Sequence, residues 1–463
     1  MAYDGEKNGN MKEHTQKRVA AVTLGCKLNY AETSAILDNL RREGWSLSSM
    51  EEGADLILIH TCAVTKQAEQ KCRQKIRGII KKNPASWIAV IGCYAQFNPE
   101  ALAAIEGINA ILGSNDKFDI QSYNDIVFGT QKLPLVKVSP VSRLKEIYPG
   151  YSLDAAESVD RTRAFLKIQD GCDYGCSYCA IPLFRGRSRS LPAATLVERA
   201  HLLASSGYRE IVLTGVNTGD YRSGGLKLCD LLRQLEEVSV SRIRISSIEP
   251  DIVDNELISL VAASKKIVPH FHIPLQSGSD RILRAMRRRY DTALYRDRVM
   301  QSVQRIAECA VGADVIVGYP GETEEDFLLM YRFLEELPLA SLHLFSCSIR
   351  PGTSLALQIA NGERKPVEPG VIARRYSELA QLGVRHEARF KARSLGKESL
   401  VLFERSKPAG EGALQCSGYT RNYLKVVVEC ADRGQQESLR GNELPVMIDS
   451  LDKDLNLKGR VLS

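Results

Sequence analysis

The run Cys172-Asp173-Tyr174-Gly175-Cys176-Ser177-Tyr178-Cys179 constrains this chain more than any other feature. Three thiols at C-x3-C-x2-C spacing suit an iron–sulfur cluster, whose irons are held by cysteine thiolates. Three local ligands on a four-iron cubane leave one iron open. An open coordination position is what separates a catalytic metal centre from a structural one. The alternative is a zinc knuckle short of a ligand. The nearest downstream histidine, His201, is separated from the run by a helical segment. Gly171, Gly175, aromatic Tyr178 and the preceding apolar strand favour the cluster.

The whole chain sets the context. At 463 residues it is too long for one core, and two to four domains are expected. The N-terminal stretch 1–16 is polar, lacks the apolar centre of a secretory signal and reads as a disordered tail. No apolar run is long enough to span a bilayer. These features argue for a cytoplasmic protein without membrane contact. In that compartment twelve cysteines are metal or redox groups rather than disulfides. The net charge of +6 is compatible with a nucleic-acid partner without establishing one.

Apolar strands alternate with amphipathic helices across residues 17–130, which predicts a parallel α/β sheet. Strands are expected at Arg18–Leu24, Asp55–His60 and Trp87–Gly92, and helices at Ala31–Glu43 and Ala68–Lys81. Residues 131–160, with Pro134, Pro140 and Pro149, read as a linker holding at most one strand. From 161 to 390 the alternation resumes and predicts a full or partial parallel (β/α) barrel, in which function gathers at the C-terminal strand ends. Residues 393–463 change character. Leu400–Phe403, Tyr423–Glu429 and Pro445–Ile448 predict a small antiparallel β-barrel.

An open iron in the Cys172 loop is suited to chelate S-adenosylmethionine through its amino and carboxylate groups. Electron transfer would then break the S–C5′ bond and release a 5′-deoxyadenosyl radical. A second set of cysteines follows three predicted strands: Cys26 after Thr23-Leu24-Gly25, Cys62 after His60-Thr61, and Cys93 after Ile91-Gly92. Neighbouring strand ends of a parallel sheet converge on one edge, so these thiols are candidates to meet. Three unrelated core cysteines are the alternative.

At these residues the sequence resembles the radical S-adenosylmethionine superfamily. With the Thr23–Asn29 and Thr61–Thr65 segments, Lys71-Cys72-Arg73-Gln74 and Gly171–Pro182, it resembles the methylthiotransferase family, in particular the branch that acts on tRNA. The resemblance spans about residues 18–461. It implies two 4Fe–4S clusters, one on Cys172, Cys176 and Cys179 and an auxiliary one on Cys26, Cys62 and Cys93. It implies S-adenosylmethionine contacts from Tyr178, Gly215, Asn217, Gln276, Ser277, Val317 and Gly318. Ser246–Pro250 is a fainter candidate. The implied reaction is methylthiolation at C2 of N6-threonylcarbamoyladenosine, position 37 of the tRNA anticodon loop. It requires a low-potential electron donor and leaves the sulfur source open. The close rival acts on isopentenyl-adenosine in tRNA or an aspartate of a ribosomal protein. A distant rival is a non-catalytic, zinc-stabilised RNA-binding protein.

Two positions depart from the family pattern. His60 stands where Asn is frequent, and Cys72 where Ser is common. Cys72 reads as a buried helix cysteine, with a fourth thiolate ligand as the alternative. Arginines near the implied cofactor, Arg185, Arg187, Arg287 and Arg288, are expected to hold tRNA phosphates. The terminal barrel resembles the RNA-gripping TRAM type, where Arg421 and Tyr423 are expected to contact RNA.

Overall fold

The computed structural model describes residues 17–129, 134–152, 162–404 and 414–462. The expected tail 1–16 and much of the expected linker lie outside them.

The first domain is built on hydrophobic runs. In Leu56-Ile57-Leu58-Ile59 every side chain is buried, alternately against the helices on either face of the sheet. A strand covered on both faces reads as a continuous apolar run, the mark of a parallel sheet. The strands are β1 (Arg18–Thr23), β2 (Ser46–Leu47), β3 (Leu56–Thr61), β4 (Trp87–Gly92), β5 (Ala110–Leu112) and β6 (Leu135–Lys137). All pair in parallel, in the order β2-β1-β3-β4-β5-β6. Helices α1 (Lys27–Arg42), α2 (Lys66–Lys82) and the short α3 (Cys93–Phe97) leave the C-terminal ends of β1, β3 and β4. Thr65 caps α2 by accepting from the Ala68 N–H at 3.1 Å. The expected linker is corrected at its start: Leu135–Lys137 pairs with β5 and completes this sheet.

The barrel of the second domain is built from Arg163–Lys167, Glu210–Thr214, Arg242–Ile245, His270–His272, Ala310–Val317 and Ser341–Ser346. They form two parallel three-stranded ladders joined by the bridges Ile243–Ile267 and Ser247–His272. Among the described residues the first and last strands do not pair, so the barrel is partial. Strand alternation sorts the side chains. Ala164, Leu166, Ile211, Leu213, Ile243, Ile245, Phe271, Val311 and Val315 pack outward with the helix residues Leu196, Ala200, Leu231, Leu257 and Val299. Their neighbours, among them Arg163, Glu210, Arg244, His270, His272, Asp314 and His343, therefore face the lumen. Helix α1 lies along the first strand on the open side, with Tyr30 edge-on to Phe165 at 5.4 Å.

The long helix Pro369–Ala392 leads to a closed five-stranded barrel of Glu398–Phe403, Gln415–Thr420, Lys425–Glu429, Leu457–Val461 and Glu443–Leu451. It is antiparallel except for one parallel pair, Lys425–Glu429 with Leu457–Val461. Its core is Val401, Phe403, Val426, Val428, Val446, Ile448 and Leu457. Two of its strands, Gln415–Thr420 and Leu457–Val461, carry too few apolar residues to be legible in the sequence.

The barrel is seated against the N-terminal end of the lumen. Arg242 donates to the Tyr419 carbonyl at 2.8 Å and the Leu400 carbonyl at 3.0 Å, and pairs with Glu443 at 2.8 Å. This corrects the expectation for Arg421 and Tyr423. The Arg421 carbonyl accepts from Arg244 at 3.2 Å, and its guanidinium donates to the Lys265 carbonyl. The Tyr423 hydroxyl accepts from Arg163 at 2.9 Å. Both residues close the floor of the larger barrel instead of facing outward to RNA.

Candidate active site

Sheet register carries Cys26, Cys62 and Cys93 to one edge. Thr23 is opposite His60, and Thr61 is opposite Gly92, so β1, β3 and β4 end level. Cys62 and Cys93 follow immediately, and Cys26 is the N-cap of α1. Burial pushes the Cys62 thiol up to about 12, and the charges of Cys93, Cys26 and Cys72 add to the rise. Cys26 is raised by burial despite the opposing pull of Arg185. Cys26 and Cys62 are thus poor thiolates until a cation compensates them, and with Cys93 beside them they offer the donor chemistry of a metal cluster.

The two departures from the family pattern acquire definite roles. Cys72 donates its thiol to the Cys62 carbonyl at 3.5 Å from inside the helix–sheet core. His60 turns away from Cys62. Its Nδ1 meets Thr33 Oγ1 at 2.8 Å, and its Nε2 lies 3.5 Å from the Lys117 ammonium. Burial and then Lys117 hold the ring well below the usual histidine range, so it is neutral. Gly92 is required beside it. A Cβ there would lie 2.4 Å from the His60 ring, and its φ of +97° is in the left-handed region.

The Cys172 loop leaves the first barrel strand and returns through the helix Ile181–Arg185. Gly171, at φ +73°, permits the tight exit: a Cβ would lie 2.0 Å from the Arg187 carbonyl oxygen. Burial pushes Cys172 up to about 11 and Cys179 up to about 12, and the Cys176 charge adds to both. Arg288 donates to Cys176 Sγ at 3.0 Å and pairs with Glu249. Burial outweighs that pairing and raises Glu249 to about 7. The Arg288 side chain is only 3% exposed, so the expectation that it grips tRNA is corrected: its charge is spent on a cluster cysteine and a buried carboxylate.

Arg185 is corrected in the same way. It is 2% exposed and donates to Asn29 at 2.6 Å, to Glu32 at 3.0 and 3.1 Å and to Asp170 at 2.9 Å. Glu32, wholly buried on α1, also accepts from Lys117 at 2.6 Å and Lys167 at 2.7 Å. These residues lock the first domain onto the second directly between the two cysteine sets. Burial would raise Glu32, but Arg185, Lys117 and Lys167 overcome it and hold the carboxyl well below its usual range. Of the expected RNA contacts, Arg187, with its side chain 90% exposed, and Arg287 remain on the surface beside the loop.

A cavity of about 230 Å³ lies between the segment that follows Cys62 and the Cys172 loop; Cys179 is the one of the six cysteines in its wall. Val64 and Thr65 line it from the Cys62 side; Tyr178, Cys179, Gln276, Asp314 and Ile316 line it from the barrel. Tyr178 and Gln276 thus share one cavity wall, Gln276 in a left-handed conformation at φ +68°. Ser277, Val317 and Gly318 do not line it. Ser277 Oγ accepts from the Ser279 N–H at 3.2 Å, and the strand's two-residue period turns Val317 outward. At Gly318 a Cβ would meet Ile372 of the long helix at 2.5 Å. Asp314 and Ile316 are the residues of that strand presented to the cavity.

Gln169 braces the adjacent strand end. Its Oε1 accepts from the N–H groups of Val216 and Asn217, both at 3.0 Å, and a Cβ on Gly215 would lie 2.9 Å from it. Four buried atoms at these strand ends lack any partner: Thr214 Oγ1, Ser246 Oγ and both amide atoms of Asn217. Buried polar groups left unmatched in a protein are completed by a ligand or water. Here they are suited to the polar groups of S-adenosylmethionine. Asp314 accepts from His272 at 2.7 Å and His343 at 3.3 Å, forming a polar trio across the lumen. Sequence reading missed Glu32, Lys117, Lys167, Gln169 and this trio. Only Glu32 left a trace, as a carboxylate among the buried positions of α1.

A partial parallel barrel with a three-cysteine loop at its first strand end defines the radical S-adenosylmethionine class. Residues 166–334 match the Radical SAM superfamily, which uses S-adenosylmethionine and a 4Fe–4S cluster, and residues 18–113 match the Uncharacterized protein family UPF0004. The chain is 37% identical to the threonylcarbamoyladenosine tRNA methylthiotransferase MtaB of Bacillus subtilis, over 88% of this chain and 90% of that one. It is 34% identical to MtaB of Aquifex aeolicus, over 83% and 92% of the two chains. Identity is 31% to the tRNA-2-methylthio-N(6)-dimethylallyladenosine synthase of Dictyoglomus thermophilum, over 95% and 98%. The chain belongs to the radical S-adenosylmethionine methylthiotransferase family. Among solved structures, the radical S-adenosylmethionine methyltransferase TsrM of Kitasatospora setae shares the fold, with TM-score 0.56 at 17% identity over 75% and 76% of the chains.

Proposed function

We propose that this enzyme is a tRNA methylthiotransferase that converts N6-threonylcarbamoyladenosine at position 37 to its 2-methylthio derivative, working in the cytoplasm where its substrate is. The observation that carries the reading is that Cys26, Cys62 and Cys93 follow strands that end level at one sheet edge, and that a cavity walled by Val64 and Thr65, just after Cys62, is also walled by Tyr178 and Cys179 of the Cys172 loop. The C2–H bond has no acidic proton, so its replacement calls for a radical. When bound, S-adenosylmethionine and a cluster on Cys172, Cys176 and Cys179 would supply that radical; an auxiliary cluster on Cys26, Cys62 and Cys93 would present the sulfur, methylated by a second S-adenosylmethionine, with the source of that sulfur left open. The chain's own residues position these partners. Tyr178 and Gln276 wall the cavity, Gln169 fixes the strand end that carries Asn217, and the Glu32–Arg185 lock sets the separation of the two cysteine sets.

The exposed Arg187 and Arg287 beside the loop are suited to tRNA phosphates. The relatives' printed substrates support the tRNA reading, and the higher identities to the MtaB proteins favour the threonylcarbamoyl nucleoside over the dimethylallyl one. The test combines two measurements. Anaerobic iron and sulfide counting is expected to give about eight irons per chain, from two four-iron clusters, and about half after either Cys26→Ala or Cys172→Ala. Nucleosides from a deletion strain are expected to lose the methylthio-threonylcarbamoyl product. Retention of full iron in both variants refutes the two-cluster site. Loss of only the dimethylallyl product refutes the substrate.

A further inference from the structure

The floor of the barrel lumen gathers more basic groups than it neutralises. Three arginines there each have a carboxylate: Arg163 with Glu404 at 2.8 Å, Arg242 with Glu443 at 2.8 Å and Arg244 with Glu210 at 2.6 Å. Lys27 has none within 4.0 Å among the described residues. It follows Cys26 at the start of α1 and reaches toward the same floor. Its ammonium lies 5.9 Å from the Tyr423 ring centroid, the Arg244 guanidinium carbon 4.4 Å from it, and the His270 ring centroid 5.3 Å from it. With Arg163, whose guanidinium carbon is 5.5 Å from the same centroid, three cationic side chains and the His270 imidazole, from four separate segments, thus converge on one aromatic ring.

Two of these groups hold buried nitrogens that nothing satisfies. Arg244 Nη1 and His270 Nδ1 are both buried without a partner, although the rest of the Arg244 guanidinium is fully engaged by Glu210 and the Arg421 carbonyl. Leaving such atoms buried and unmatched is costly, and the cost is recovered when a ligand supplies an acceptor. Tyr423 itself is held at φ +73°, a strained conformation for a bulky residue, of the kind that collects at ligand sites. A cavity of about 490 Å³ opens against the ring between the last barrel strand, the long helix and the small barrel; of Lys27, Arg244 and His270, only His270 lines it. Lys27 is solvent-exposed at the start of α1, free to meet an incoming ligand.

We infer that Lys27, Arg244 and His270 form a carboxylate subsite that receives the threonyl carboxylate of the N6 substituent and so selects the nucleoside. This rests on the substrate class proposed above. Arg244 and His270 lie two residues below Ser246 and His272 on their strands, a drop of roughly 6.6 Å. A carbamoyl-linked amino acid is little more than one peptide unit long, about 5 Å from N6 to its carboxyl group. An adenine held at the His272–Asp314–His343 level therefore sends its carboxylate to the floor. An apolar dimethylallyl group would leave the two buried nitrogens and the ammonium unmatched, which is how a polar site rejects an analogue.

The test is binding of anticodon stem-loops to the reconstituted full chain, followed by fluorescence anisotropy. Three loops share every phosphate and differ at position 37: threonylcarbamoyladenosine, its carboxamide, and plain adenosine; a fourth, carrying dimethylallyladenosine, tests the rival substrate. The carboxylate loop is expected to bind about 10- to 100-fold tighter than the other two, the range for a charge-assisted contact. Lys27→Gln and His270→Asn are each expected to remove most of that preference, and Lys27→Arg to keep it. Equal affinity of the unmodified enzyme for the carboxylate and carboxamide loops overturns the subsite without any variant. A preference retained by both Lys27→Gln and His270→Asn also overturns it, while leaving the substrate reading intact. No preference for the threonylcarbamoyl loop over plain adenosine, with the dimethylallyl loop bound best, overturns the substrate reading and the subsite with it.

Discussion

Replacing Glu32 by Gln probes the contact that joins the two catalytic halves. The side chain is wholly buried and accepts from Lys117, Lys167 and Arg185 at 2.6 to 3.1 Å. Around it stand three cations and one further carboxylate, Asp170, which pairs with Lys167 at 2.8 Å and Arg185 at 2.9 Å. The intact group thus carries three positive and two negative charges, and Glu32→Gln leaves three against one. Removing one partner of a buried ionic group costs about 3–5 kcal/mol, because the remaining charges stay desolvated. The shape is preserved, so packing contributes little. A multidomain chain does not unfold in one step, so the assay should be local: amide hydrogen exchange across α1 and the strand Arg163–Lys167, which meet at this contact. At about 1.4 kcal/mol per factor of ten, opening should become roughly 10²- to 10³-fold more frequent, while the C-terminal barrel keeps its protection. The sign with pH follows from the depressed carboxyls. Glu32 and Asp170 are both held below their unfolded values by the neighbouring cations, against the opposing effect of burial. Their contribution is complete above the unfolded carboxylate range near pH 4 and is lost as pH falls through the folded values. The wild-type interface should therefore loosen in acid, and Glu32→Gln should flatten that dependence. Protection in the variant within about 1 kcal/mol of wild type would refute the reasoning, since that is the size of a single neutral hydrogen bond.

Two further outcomes follow. Gly171→Ala places a Cβ 2.0 Å from a backbone oxygen at a positive φ, so the Cys172 loop must shift; iron per chain should fall by about half, one cluster of two, with the sheet of residues 18–137 still protected from exchange. Arg187→Ala should weaken tRNA binding without changing sequence preference, and should reduce the slope of log affinity against log salt by about one phosphate contact.

Much of the architecture is legible because it rests on local patterns. The apolar runs Leu56–Ile59, Ile88–Ile91 and Ile211–Leu213 mark buried parallel strands, and alternation with amphipathic helices gives the α/β order. The Cys172 loop is equally plain, since its three thiols are local. The limits appear where the signal is half polar. Gln415–Thr420 and Leu457–Val461 each present one face to solvent and carry glycine, so their strand character comes from barrel closure, not from their own composition.

The cysteine spacings fixed which residues could hold metal, and strand-end position brought Cys26, Cys62 and Cys93 into consideration together. Only the tertiary structure decided what the charged residues do. Arg185, Arg288 and Tyr423 look like surface RNA contacts in sequence because a charge or ring carries no label for burial. In the fold their partners, Glu32, Glu249 and Arg163, lie 153, 39 and 260 residues away. Pairing at such separations depends on domain docking. The sequence could therefore name the candidate iron ligands, while the fold alone assigned the lock between the domains and the basic floor beneath the lumen.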